Sequence, residues 1–261
     1  MRRQYLRLGL LMEIQRISEA DCLASITQSL IKKKEGFRHT WIAYTGWGKS
    51  VANSILCEYV SQLGSLTIVV DQKNKDCIYP GTQIVQARQM SEAKGTQVII
   101  RGPASTKKAS DIVYFDDLAA DVWTIGQSTD TPVCLMPDEL TDAATNNQEW
   151  KAPLLERVNS KGKIERYRDP WMDKLYRLGR TLGISVAACT QLVQEVPRSA
   201  LAMCETLGIF RQESRELAYL TRLGYLDKSL ASIVGKLEVG EFLFVKRGEG
   251  ARVCKFSYDG T

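Results

Sequence analysis

The chain has 261 residues, 44% of them hydrophobic and 25% charged, so it is long enough for one large globular domain with a buried core. Its net charge of +5 is compatible with a nucleic-acid partner but does not require one. No apolar run approaches the ~20 residues of a membrane-spanning helix, and the opening MRRQYLRLGLLMEI lacks the apolar core and cleavage site of a signal peptide. Seven cysteines, at 22, 57, 77, 134, 189, 204 and 254, form no C-x-x-C pair. An odd count inside apolar runs reads as reduced, buried thiols and a cytoplasmic setting.

Residues 1–37 read as an N-terminal arm and helix, the arm being either a docking segment or a frayed terminus. The helix is expected from Glu19 to Lys34, capped by Ser18 with Asp21 at the third helical position, and stopped by Gly36. Leu23, Ile26, Leu30 and Ile31 give it one apolar face. Then TWIAY (40–44) reads as a buried strand, Lys49 to Leu63 as a helix, SLTIVVD (65–71) and QVIIRG (97–102) as strands, and VCLMPDE (133–139) as a fourth strand. Pro137 suggests that this strand ends at Met136. Asp169 and Pro170 open a helix whose core face is Trp171, Leu175, Leu178 and Leu182, with Gly183 as its stop. ISVAACTQ (184–191) is a fifth strand, and FLFVKRG with RVCKFSY reads as an antiparallel hairpin around Gly248 and Gly250. Strands alternating with helices imply an α/β domain over 38–261 with a mainly parallel sheet flanked by helices and a C-terminal β-hairpin. Ligands of such sheets bind at the carboxyl ends of the strands.

AYTGWGKS (43–50) follows a strand and opens a helix. It fits the phosphate-loop pattern G-x-x-x-x-G-K-[ST] with Ala43 in the first glycine's place. Gly46 and Gly48 let the backbone N–H groups of the segment Thr45–Val51, Trp47 included, curl toward an anion, and the helix N-terminus adds partial positive charge. Lys49 reaches the β- and γ-phosphates of ATP, and the Ser50 hydroxyl is a ligand for Mg²⁺.

An acidic partner stands at the end of VCLMPDE. Asp138 is placed to hold Mg²⁺, and Glu139 to orient and deprotonate the attacking water as a general base. A rival pair, Asp116 and Asp117 after IVYF, ranks second because no glutamate follows it. Gln191, ending a strand in A-C-T-Q, has the neutral amide that can sense a γ-phosphate or align water. Between the acids and the helix near 170, residues 151–169 form a basic insert that Ser160 and Gly162 mark as a mobile loop. Its Lys161, Lys163, Arg166 and Arg168 are candidate contacts to DNA phosphates, against the alternative of a solvated loop.

The ordered set GWGKS, IVVDQK (68–73), LMPDE and LYRLGRTLGISVAACTQ (175–191), with VGEFLFVKRG (239–248) near the end, resembles the HerA/FtsK superfamily of P-loop ATPases. The resemblance covers roughly 38–250 and implies a RecA-like core, a homo-oligomeric ring of six, and ATP-driven movement of double-stranded DNA. The compact layout is similar to that of the genome-packaging ATPases of tailless double-stranded DNA viruses, which implies a viral setting and a capsid or membrane portal partner. Conjugative or plasmid-transfer and chromosome-pumping ATPases are the alternative within the superfamily. An ATP-binding switch or scaffold with slow hydrolysis is the alternative outside it, and Glu139 argues against that class. FtsK-like members carry an arginine in the strand after T-Q that reaches the neighbouring subunit's site; here Leu207 stands at the matching slot, Arg211 and Arg215 are close to it, and Arg180 and Arg198 are further candidates.

Overall fold

The apolar strands assemble as the alternation demands. A computed structural model describes residues 15–71, 82–84, 97–101, 109–143 and 149–256, with side chains placed at 15–71, 115–143 and 149–256. The main sheet contains β1 (Arg38–Ile42), β2 (Leu66–Asp71), β3 (Thr82–Ile84), β4 (Gln97–Arg101), β5 (Val133–Pro137), β8 (Ile184–Thr190), β9 (Thr206–Phe210), β10 (Glu241–Lys246) and β11 (Gly250–Lys255). Their spatial order is β11-β10-β9-β1-β8-β5-β2-β4-β3. The seven strands from β9 to β3 run parallel, and β10 and β11 add an antiparallel pair at one rim. Helices α1 (Glu19–Ile26), α2 (Gln28–Lys33) and α3 (Lys49–Gln62) supply part of the cover, with α4 (Ala109–Ser128), α5 (Trp171–Leu178), α6 (Arg198–Met203), α7 (Ser214–Arg222) and α8 (Lys228–Val234). Two apolar clusters, one on each face of the sheet, form the core.

Several local expectations need correction. The first helix breaks at Thr27, whose hydroxyl bonds back to the Leu23 carbonyl at 2.9 Å, so that Ile31 turns outward and is half exposed. Ser18 does cap it, accepting from the Asp21 N–H at 3.1 Å. The second segment ends at Lys34, which adopts the left-handed conformation with φ 55°, two residues before Gly36. Pro137 lies inside β5, paired with Val70. The Asp138 N–H bonds to β2 at Val70 O, so the donor-less nitrogen of Pro137 faces β8, where the ladder has already ended at Leu135.

Asp169 does not cap α5; it pairs with Lys174 at 2.6 Å, while Asp116 accepts from the Trp171 N–H at 2.7 Å. The buried face of α5 is Met172, Leu175 and Tyr176, and Leu178 points to solvent. The basic insert is a hairpin of β6 (Leu155–Val158) and β7 (Ile164–Tyr167), separate from the main sheet.

On one face of the sheet, Trp41, Phe210, Phe242 and Phe256 form an aromatic cluster with ring centroids 4.9–6.1 Å apart. The cluster requires Gly208, where a Cβ would lie 2.1 Å from the Trp41 ring. Gly208→Ala is therefore expected to destabilise the protein by about 1–3 kcal/mol through overpacking, seen as a lower urea midpoint at unchanged slope; an unshifted midpoint would mean that the ring slides aside freely.

Candidate nucleotide site

β1 ends at Ile42 in the middle of the sheet, flanked by β8 and β9, and the chain leaves it through Ala43–Gly48 into α3. Gly46 and Gly48 have φ of 89° and 97°, a region closed to most side chains, which is why the two glycines fall where the loop turns. Lys49 is the first residue of α3, and its side chain is buried. The ammonium lies 3.3 Å from the Asp138 carbonyl and 3.4 Å from Glu139 Oε2. Ser50 Oγ donates to Asp138 Oδ1 at 3.2 Å. The phosphate loop and the acidic strand end, nearly ninety residues apart in sequence, thus meet in one place because β5 and β1 both border β8.

Glu139 has three neighbours. Its Oε2 faces Lys49, while Oε1 accepts from the Thr141 hydroxyl at 3.0 Å and from the backbone N–H of Gln191 at 3.3 Å. Gln191 in turn accepts from Thr45 Oγ1 of the phosphate loop at 3.2 Å. A cavity of about 590 Å³ opens beside Thr45, Lys49, Ser50 and Gln191. One wall is Thr45, Gly46, Gly48, Lys49, Ser50 and Val51; the other is mainly apolar, from Phe210, Val239, Gly240 and Phe256, with Lys255 beside them. Such a cavity, cationic at one end and aromatic at the other, suits a nucleoside polyphosphate. The hydroxyl of Ser50 and the carboxylate of Asp138 are hard oxygen donors of the kind that would hold a magnesium ion.

The rival acidic pair is not at the end of a strand. IVYF and Asp116–Asp117 lie within the twenty-residue helix α4, with Phe115, Leu118, Ala119 and Val122 buried at helical spacing. Burial raises the carboxyl pKa of Asp116 despite its bond from Trp171 N–H, as suits a group that ties α4 to α5.

The arginine candidates are dispersed. Arg180 pairs with Glu35 at 2.9 Å and Glu205 at 2.7 Å, beside the amino ends of β1 and β9. Arg211 stacks over Trp47 at 5.3 Å, and Arg215 donates to Gln194 at 3.2 Å. Both stand at the carboxyl end of the sheet, just past β9.

In the hairpin, Arg166 pairs with Glu156 at 2.9 Å and Arg157 with Glu165 at 3.0 Å. Lys161 and Lys163 sit at the turn, where Asn159 Oδ1 accepts both of their backbone N–H groups. Lys161, Lys163 and Arg168 have no ion pair among the described residues. Lys73 of the D-x-K motif lies outside the described residues, and its Asp71 ends β2.

No protein-family model matches the sequence, and no curated protein matches it. Solved structures do. The genome packaging NTPase B204 of Sulfolobus turreted icosahedral virus 2, in complex with AMPPCP, superposes with a TM-score of 0.64 at 15% identity over 86% of this chain and 99% of B204. The fold is that of a P-loop ATPase. B204 of Sulfolobus Turreted Icosahedral Virus, described as a DNA-packaging ATPase, gives 0.62 at 14% identity over 86% and 98%. VirB4 of Thermoanaerobacter pseudethanolicus gives 0.63 at 12% identity over 85% and 90%. These likenesses bear out the expected α/β architecture, a mainly parallel sheet flanked by helices with a C-terminal antiparallel pair. Among the described residues no helix is long and apolar enough to cross a membrane.

The sequence did not mark Thr141 or the apolar wall. Thr141 donates to a side chain only two residues away, inside a short 3₁₀ turn, with no motif to announce it. Phe210, Val239, Gly240 and Phe256 reach the cavity because β9 pairs with β1 and the C-terminal pair β10–β11 continues the sheet beyond β9.

Proposed function

We propose that this chain hydrolyses ATP to move double-stranded DNA, as a homo-oligomeric, six-membered ring motor of the HerA/FtsK type, with packaging of a viral or mobile-element genome into a capsid or through a membrane portal as its setting. The observation that carries the catalytic part is the convergence of Lys49, Ser50, Asp138 and Glu139 at the carboxyl end of one parallel sheet. In this reading the backbone of Thr45–Val51 cradles the phosphates and Lys49 neutralises charge at the β/γ position. Magnesium, held by Ser50 and Asp138, would supply electrostatic stabilisation of the phosphates. Glu139 takes a proton from a water; that water's oxygen bonds to the γ-phosphorus as the bond from phosphorus to the β–γ bridging oxygen breaks, giving ADP and phosphate. Gln191, tied to the phosphate loop through Thr45, aligns that water.

The DNA part is supported by the hairpin's cations and by the likeness to the B204 proteins, which are described as packaging enzymes. The strand arginines are matched by glutamates, so the field of the hairpin comes mainly from Lys161, Lys163 and Arg168. Changing Lys161, Lys163, Arg166 and Arg168 together to alanine should weaken duplex DNA binding on all sequences alike. For every phosphate that is no longer neutralised, the slope of log affinity against log salt should flatten by roughly 0.9, and DNA stimulation of hydrolysis should fall with it. Titrations at several salt concentrations measure this, and an unchanged slope would remove the hairpin from the DNA path while leaving the ATPase reading intact. ATPase activity that duplex DNA never stimulates in the unaltered protein would count against the motor and favour an ATP-dependent switch.

A further inference from the structure

The two oxygens of Glu139 are treated differently by their surroundings. Oε2 faces Lys49 Nζ at 3.4 Å, the ammonium that the proposed function aims at the β- and γ-phosphates. Oε1 is bound from the other side by two donors, the Thr141 hydroxyl and the Gln191 backbone N–H. A carboxylate on a stem of two methylenes swings freely unless something fixes it, and a base displaced by an ångström loses much of its effect. Here one oxygen is anchored, so the other is presented in a defined direction.

We propose that Thr141 is a positioning residue for hydrolysis: its hydroxyl and the Gln191 N–H hold Glu139 Oε1, so that Oε2 meets the attacking water in the orientation that accepts its proton. The proposal rests on Glu139 as the base. Thr141 itself touches neither phosphate nor water; it acts through the carboxylate. Its place in the 3₁₀ turn Leu140–Ala143 sets the hydroxyl close to Glu139, the residue immediately before that turn and two positions from the donor. The second anchor comes from the end of β8, so the base is clamped between the acidic turn and the strand that carries Gln191. Through Thr45, Gln191 also reports on the phosphate loop, which places the base, the polar sensor and the loop in one continuous chain of hydrogen bonds.

This clamp predicts a graded effect. Thr141→Val keeps the shape of the side chain but removes the donor, while the backbone anchor from Gln191 remains. Loss of one hydrogen bond to a charged group should lower kcat about 10-fold, with KM for ATP and directly measured ATP affinity within about twofold of the unaltered protein. Thr141→Ser restores the donor and should recover kcat to within about threefold. Thermal melting of each variant shows whether the turn itself has been lost; a purely structural threonine would change melting and leave kcat per folded molecule unchanged.

Steady-state kinetics of the two variants alongside Glu139→Gln decide the matter. Wild-type kcat in Thr141→Val, with Glu139→Gln slow, overturns the positioning role and leaves the base in place. Equal slowing by Val and Ser also overturns it, because the hydroxyl is then not what matters. Weakened ATP binding at unchanged kcat would assign Thr141 to ground-state binding instead. If Glu139→Gln itself turns over at the wild-type rate, the failure lies in the choice of base.

Discussion

Glu139→Gln is expected to slow ATP hydrolysis by at least about 10²-fold, the usual scale for general-base help. The amide keeps the size of the side chain and can still accept from Thr141 and Gln191, but it has no basic oxygen to take the proton from water. ATP binding should persist, since Lys49, Ser50 and the loop backbone are untouched. The result to look for is a complex that holds ATP and magnesium while releasing phosphate slowly, measured by single-turnover kinetics next to equilibrium binding. Hydrolysis at the wild-type rate would show that another group takes the proton.

Lys49→Ala should act one step earlier, at binding. The lysine side chain is buried, with the Asp138 carbonyl and Glu139 Oε2 within 3.4 Å. Its removal deletes the cation aimed at the phosphates and leaves Glu139 without its counter-charge. Truncating one partner of a buried charged pair costs about 2–5 kcal/mol, which at about 1.4 kcal/mol per decade corresponds to a loss of at least about 30-fold in affinity. Calorimetric titration with a non-hydrolysable ATP analogue tests this, and undiminished affinity would mean that the loop does not hold the phosphates. Lys49→Ala should bind weakly, whereas Glu139→Gln should bind and turn over slowly, so each assignment can be disproved without disturbing the other.

The candidate nucleotide site was legible because its chemistry is local. Gly46, Gly48, Lys49 and Ser50 occupy one strand-to-helix turn, and the positive φ of the two glycines is a requirement that the sequence itself announces. Asp138 and Glu139 stand directly after an apolar strand for the same reason. Where tertiary structure decides, local pattern is a poorer guide. IVYF has the β-branched and aromatic composition of a strand, yet its neighbours repeat at the spacing of a helix, and packing of Phe115, Leu118 and Val122 settled it as one. The alternating residues of 155–167 form a hairpin although Ser160 and Gly162 suggested a loop; glycine at φ 74° is what its turn needs. The apolar wall of the cavity was hidden for a different reason, since the strand order that puts β9 beside β1 and β10 beside β9 is not encoded in composition.

One rim of the sheet carries a further consequence. β11 is the outermost strand there, and a bare outer strand offers unpaired N–H and C=O groups to any passing chain, a ready template for aggregation. Val253 is shielded from this: its N–H donates to Gln15 O at 3.1 Å, its carbonyl accepts from the Ile17 N–H at 3.0 Å, and Cys22 of α1 lies against Cys254. Residues 15–17 thus cover part of that outer edge, so a chain lacking them is expected to aggregate more readily.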